Sequence, residues 1–147
     1  MAGMTEAEVR DFFGRYERVF EESLAGNLDP REAASFFAPE FIGATPAGVM
    51  AGRNDHTLAE ALSAGYDHYR ATGTREMRIR DVRLSPIDDH HGLVHVAWTA
   101  VYDRGAAAPV AIDFEVHYLL QALGEGPRIF GWISGDEQAV LEAHGIT

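Results

Sequence analysis

Residues 112–118 read IDFEVHY, a stretch that alternates three ionisable side chains with four large apolar ones. Successive side chains of a β-strand point to opposite faces. Asp113, Glu115 and His117 therefore share one face, and Ile112, Phe114, Val116 and Tyr118 the other. Neighbours on the polar face stand ~6–7 Å apart along the strand. Carboxylates held together in an apolar setting raise each other's pKa, and a nearby imidazolium favours their ionised form. Asp113 or Glu115 with His117 is thus a candidate acid/base pair for neutral pH, provided that this face lines a pocket. If the face meets water, the same residues are a solvated strand surface.

The preceding stretch, Leu93–Asp103, is apolar on nearly all sides, which suits a central strand. Its even positions include Val94, Val96 and Trp98, and its odd positions include His95 and Thr99. The best match of the two strands puts Val94, Val96 and Trp98 on the face of Ile112, Phe114 and Val116. His95, Thr99, Asp113, Glu115 and His117 then share the opposite face, although a one-residue slip would invert one strand. Two readings follow. In one, the apolar face packs on helices and the polar face meets solvent. In the other, the polar face lines a pocket, and the apolar face, extended by Phe130 and Trp132, is covered by a second copy, since so large an exposed apolar patch is unusual on a monomer.

Other chemistries have less support. His95, Glu115 and His117 offer two imidazoles and a carboxylate, but without the motif context of a metal site, so no metal is expected. Asp88-Asp89-His90-His91-Gly92 reads as a hairpin tip, and His56, His68 and His144 as surface histidines. There is no cysteine, which excludes disulfides, thiolate nucleophiles and cysteine-ligated zinc. No G-x-S-x-G elbow, G-x-G-x-x-G turn or phosphate loop is present, and no cofactor is expected.

The elements that position these strands are legible from periodicity. Thr5 and Glu8 form a capping-box pattern ahead of Val9, Phe12, Phe13, Tyr16, Val19 and Phe20, a wide helical stripe. Tyr16 on that stripe is placed to donate a hydrogen bond to a carbonyl or a developing enolate oxygen. Asp29-Pro30 opens a short second helix carrying Phe36 and Phe37, closed by Pro39. Phe41–Pro46 is a brief strand or extended loop, and Gly48 and Gly52 predict an irregular segment after it. A third helix runs from about Asp55 to Ala71, with Leu58, Leu62, Tyr66 and Tyr69 on one side and Gly73 as its stop. The period then becomes two. A phase slip between Met77-x-Ile79 and Val82-x-Leu84 predicts a bulge near Arg80-Asp81. Four long strands follow, and Ser134 with Glu137 predicts a capping box for a tail helix. Helices first and hairpins later indicate an α+β fold with an antiparallel sheet in one domain, residues 1–147.

With 12 Lys+Arg against 23 Asp+Glu, the formal charge is −11. Nucleic acid and anionic membranes, which need a basic surface, are not expected as partners. No apolar run approaches the ~20 residues of a membrane span, and residues 1–10 show no signal pattern, so a cytoplasmic location is expected.

Arg15-Tyr16 in the first helix, Gly26-Asn27-Leu28-Asp29, Phe36-Phe37-Ala38-Pro39-Glu40-Phe41, Gly52 before the third helix and the closing Arg128-Ile129-Phe130-Gly131-Trp132 together resemble the nuclear transport factor 2-like superfamily over essentially the whole chain. Members similar to ketosteroid isomerases and polyketide cyclases belong to it, as do uncharacterised bacterial proteins. The resemblance implies a cone-shaped curved antiparallel sheet packed on N-terminal helices around a pocket, and a homodimer through the convex face of the sheet. The dimer face expected here is Trp98, Phe114, Tyr118 and Trp132. In the isomerases, a first-helix tyrosine and a protonated aspartic acid of a late strand form an oxyanion hole. Tyr16 matches the tyrosine, and the late-strand position falls near His117 or Asp113. The isomerases' general-base aspartate has no counterpart, because residues 41–49 contain no carboxylate. The expected catalytic set is Tyr16, Asp113 and His117, in a pocket formed by Phe12, Leu62, Tyr66, His95, Thr99 and Glu115. The function expected is binding of a small, largely apolar organic molecule, with metal-independent isomerase, dehydratase or cyclase chemistry at the polar face. The alternative is a non-catalytic ligand-binding or dimerisation module.

Overall fold

The computed structural model describes residues 3–146, so the extreme ends of the expected 1–147 domain lie outside the described residues. Three helices, α1 (Glu6–Leu24), α2 (Pro30–Ala34) and α3 (His56–Ala71), cover one side of a curved, unclosed six-stranded sheet. The strands are β1 (Phe37–Thr45), β2 (Gly48–Arg53), β3 (Thr74–Pro86), β4 (His91–Arg104), β5 (Ala107–Leu123) and β6 (Gly126–Ser134), and a short helix α4 (Glu137–Ala143) follows the last. Their order across the sheet is β2-β1-β6-β5-β4-β3. Every pairing is antiparallel except β1 with β6, which run parallel. This is the α+β architecture expected.

The first helix starts where its cap predicts, with the Thr5 hydroxyl accepting the Glu8 N–H at 3.1 Å. Its stripe buries Val9, Phe12, Phe13, Val19 and Phe20 against the sheet. Each such burial contributes roughly 1.5–3 kcal/mol relative to exposure. The bulge falls as predicted: Ile79 pairs with Trp98 and Asp81 with Ala97, which leaves Arg80 as the extra residue. The Glu17 carboxylate of α1 accepts the Ile79 N–H and ties the helix to that bulge.

Three local expectations are corrected. The second helix ends at Ala34, Phe37 already opens β1, and the Phe36 carbonyl just before it accepts the Ile129 N–H at 2.8 Å. Pro39 biases Ala38 toward extended backbone, so the strand begins before the proline. The segment after Pro46 is strand β2, not irregular chain. Thr45 pairs with Gly48 across a two-residue turn, and Gly48 has φ +138°, open to glycine and rarely to other residues. The tail helix is capped by Asp136, which accepts the Ala139 N–H at 2.9 Å, rather than by Ser134. Among the described residues, no helix is long and apolar enough to cross a membrane.

Candidate ligand cavity

The register of the two central strands decides what each face can do. Val94 pairs with Tyr118, Val96 with Val116, Trp98 with Phe114 and Ala100 with Ile112, which is the in-phase match. These residues face the helices, on the concave side. His95 pairs with His117 and Thr99 with Asp113, on the convex side.

The concave side holds a cavity of about 380 Å³. The sheet supplies Trp98, Phe114, Val116, Tyr118 and Trp132. Helix α1 supplies Tyr16 and Phe20, and α3 supplies Leu62 and Tyr69. The first hairpin closes one end with Phe37, Phe41, Met50 and Arg53. Two glycines make room for these rings. A Cβ on Gly43 would lie 2.7 Å from the Trp132 indole, and one on Gly52 would lie 2.5 Å from the Phe41 ring. Phe41 and Trp132 pack with centroids 5.5 Å apart, and Tyr16 sits 6.2 Å from both Trp98 and Tyr118. Such aromatic pairs add about 0.5–1.5 kcal/mol each beyond burial.

The polar groups of this cavity are mostly phenols. Burial pushes the Tyr16, Tyr69 and Tyr118 hydroxyls well above the ordinary tyrosine range. The Trp98 indole and the Tyr16 hydroxyl, as hydrogen-bonding neighbours of Tyr118, partly offset that rise. The Glu137 carboxyl borders the cavity. Part of the residue is open to solvent, yet surrounding protein desolvates the carboxyl enough to raise its pKa. The phenols present neutral hydrogen-bond donors at neutral pH inside an aromatic wall.

The expected trio does not converge. Tyr16 borders the cavity, whereas Asp113 and His117 project from the other side of the sheet. Asp113 accepts a 2.7 Å hydrogen bond from the Thr99 hydroxyl and lies 3.5 Å from the Arg80 guanidinium. His117 and His95 approach each other with Nδ1 atoms 2.8 Å apart, and His95 Nε2 lies 3.2 Å from the Ser85 hydroxyl. Desolvation, followed by Arg83 and His117, lowers the His95 pKa. Of the other expected pocket residues, Leu62 borders the cavity. Phe12 and Tyr66 are core residues, 1% and 5% exposed, packed on Phe13 and Phe20. His95, Thr99 and Glu115 are on the convex side. Trp98, Phe114, Tyr118 and Trp132, expected on a dimer face, line the concave cavity instead, because α1 and α3 already cover that face. Among the described residues, no three of His, Cys, Asp and Glu converge to hold a metal ion.

The sequence reading missed Trp98, Phe114, Tyr69 and Glu137 as cavity residues. The signal was present in the aromatic content of the even face, which matches the aromatic stripes of α1 and α3.

Residues 6–137 match the family described as NTF2-like protein (DUF6841). No protein of curated function matches the chain. Solved structures of the same fold include an NTF2-like protein with a cystatin-like fold from Novosphingobium aromaticivorans (12% identity, 93% of this chain and 86% of that one, TM-score 0.67). The β subunit of benzoate 1,2-dioxygenase from Burkholderia mallei is also similar (14% identity, 95% and 96% covered, TM-score 0.67). So is Aln2 from a Streptomyces species (16% identity, 97% and 99% covered, TM-score 0.65). At these identities the likeness concerns the fold.

Proposed function

Since the chain belongs to this family of NTF2-like proteins, whose fold hosts many unrelated activities, we propose from the site itself that the protein binds a small, largely apolar, ring-containing organic molecule in the concave cavity. The single observation behind this reading is the wall: aromatic side chains from α1, α3, β1, β4, β5 and β6 surround about 380 Å³ of space. That volume and an apolar lining with few polar groups are typical of small-molecule sites. Tyr16 and Tyr118 offer hydrogen bonds to a carbonyl or hydroxyl oxygen of the ligand. The reading is of a binding site. The ionisable side chains bordering the cavity are Tyr16, Tyr69, Tyr118, Arg53 and Glu137, and the Asp113–His117 pair, which was to carry acid/base chemistry, faces away.

Both tryptophans of the chain border this cavity, so intrinsic fluorescence reports its occupancy. Titration with 1-indanone, a neutral aromatic ketone, is expected to quench the emission saturably. Quenching that stays linear in ketone concentration up to its solubility limit would remove the reading.

We also propose that the expected second copy docks on the convex face. Leu93, Leu119, Gly131 and Ile42 are successive partners across four strands. Ile42 and the nearby Ile133 remain 43% and 48% exposed. An apolar row of that kind suits an isologous contact. Sedimentation at micromolar concentration is expected to give a dimer that Leu119→Glu converts to a monomer. A monomeric wild type contradicts the contact.

A further inference from the structure

A second cavity, of about 510 Å³, adjoins the first. Thr72 at the end of α3, Tyr102 of β4, Ile112 of β5 and Leu141 of α4 contribute to its walls, His68 and Asp136 also border it, and so does β5 at Asp113 and Glu115, where the strand has no β6 partner. The two cavities have Tyr69, Met77, Phe114 and Glu137 in common. Three of these shared residues are apolar or aromatic, and the fourth is a carboxylic acid. Glu137 is the one carboxylic acid that borders both cavities.

We propose that the two cavities are halves of one elongated ligand site, with the Glu137 carboxyl as its central polar contact. The ligand class is an extended, mainly apolar molecule with a hydroxyl near its middle. A hydroxyl can donate to the carboxylate or accept from the carboxylic acid, so it is matched to Glu137 in either state. Its two apolar arms lie along Trp98 and Trp132 on one side and along Ile112 and Leu141 on the other. The ring-binding cavity of the preceding section then holds one arm, and the inference rests on that reading.

The test compares neutral alcohols by tryptophan quenching and native mass spectrometry. 3-Hexanol fits one cavity. 6-Undecanol has two arms and a central hydroxyl, and 1-undecanol is its isomer with a terminal hydroxyl. One 6-undecanol is expected per chain, with affinity rising about fourfold for each methylene beyond 3-hexanol. It is expected to bind about tenfold more tightly than 1-undecanol, the size of one well-formed hydrogen bond. Glu137→Leu is expected to abolish that preference, and Glu137→Gln to keep most of it. If 1-indanone and 3-hexanol bind but 6-undecanol gains nothing, or if two undecanols bind per chain, the cavities are separate and the inference is overturned. If 1-indanone fails as well, both the inference and the binding reading beneath it fail. The wild-type comparison of the three alcohols decides the matter even if a variant does not fold.

Discussion

His117 and Tyr118 are consecutive residues with the sheet between their side chains. The His117 imidazole meets His95 on the convex side, at 2.8 Å between Nδ1 atoms, and the Tyr118 ring lies 6.2 Å from Tyr16 on the concave side. One peptide bond thus separates the polar surface that looked catalytic from the aromatic wall that borders a cavity. Strand alternation makes this unavoidable. A histidine and a tyrosine at adjacent positions of β5 cannot serve the same pocket.

The first prediction follows from that separation. Replacing Tyr118 by Phe removes a hydroxyl from the cavity without changing its shape, and is expected to weaken 1-indanone binding about fivefold, the scale of one neutral hydrogen bond. His117→Ala is expected to leave the dissociation constant within about twofold. A large loss in His117→Ala with little loss in Tyr118→Phe would place the ligand on the convex side.

The tyrosines give a prediction at alkaline pH. All five, Tyr16, Tyr66, Tyr69, Tyr102 and Tyr118, have pKa values raised above the ordinary 10, chiefly by burial. A group whose folded pKa exceeds its unfolded one contributes stability that is complete below the unfolded pKa and is lost as the pH rises. Stability is therefore expected to fall from about pH 10 upward, where unfolded tyrosines ionise and folded ones do not. Phenolate absorbance is expected to appear together with the loss of circular dichroism, in one cooperative step. A phenolate titrating near pH 10 in the folded protein would show that a tyrosine is open to solvent.

Gly43 has an ordinary backbone conformation, so its need for glycine is spatial: the Trp132 ring occupies the place of a Cβ, 2.7 Å away. Gly43→Ala is expected to displace the indole, to destabilise the fold by about 1–3 kcal/mol as overpacking does, and to shift tryptophan emission. An unchanged melting temperature would mean that Trp132 moves aside at no cost.

Asn54 joins the first hairpin to the helical layer. Its side-chain amide donates to the Ala34 and Phe37 carbonyls at 2.8 and 3.0 Å. Asn54→Asp sets a carboxylate against two carbonyl oxygens, with an expected cost of about 2–4 kcal/mol, and Asn54→Ala is expected to cost less. Equal melting temperatures for the two variants would show that the repulsion is relieved by solvent.

Much of this architecture was legible. The Thr5 and Asp29 caps, the α3 span, the bulge at Arg80 and the in-phase match of β4 with β5 all follow from short-range rules. The elements missed, strand β2 and the early end of α2, depend on tertiary pairing: Gly48 and Gly52 look like breakers until β1 is beside them. The site was harder. Alternation showed that β5 has two faces and which residues share each, but not which face the helices cover. That is set by the aromatic stripe of α1 and by α3, whose rings match the even face. The weight given to ionisable residues drew attention to Asp113 and His117, while the carboxylic acid of the cavity, Glu137, read as a helix cap.

The central claim, that the ligand site lies on the concave side, can be tested most directly by NMR. The protein has two indole N–H groups, on Trp98 and Trp132, both at the cavity, and a histidine pair on the convex side. Addition of 1-indanone is expected to shift both indole signals saturably and in parallel, with the His95 and His117 imidazole signals unmoved. Imidazole signals that shift while the indoles stay in place would contradict the claim and return the site to the convex face.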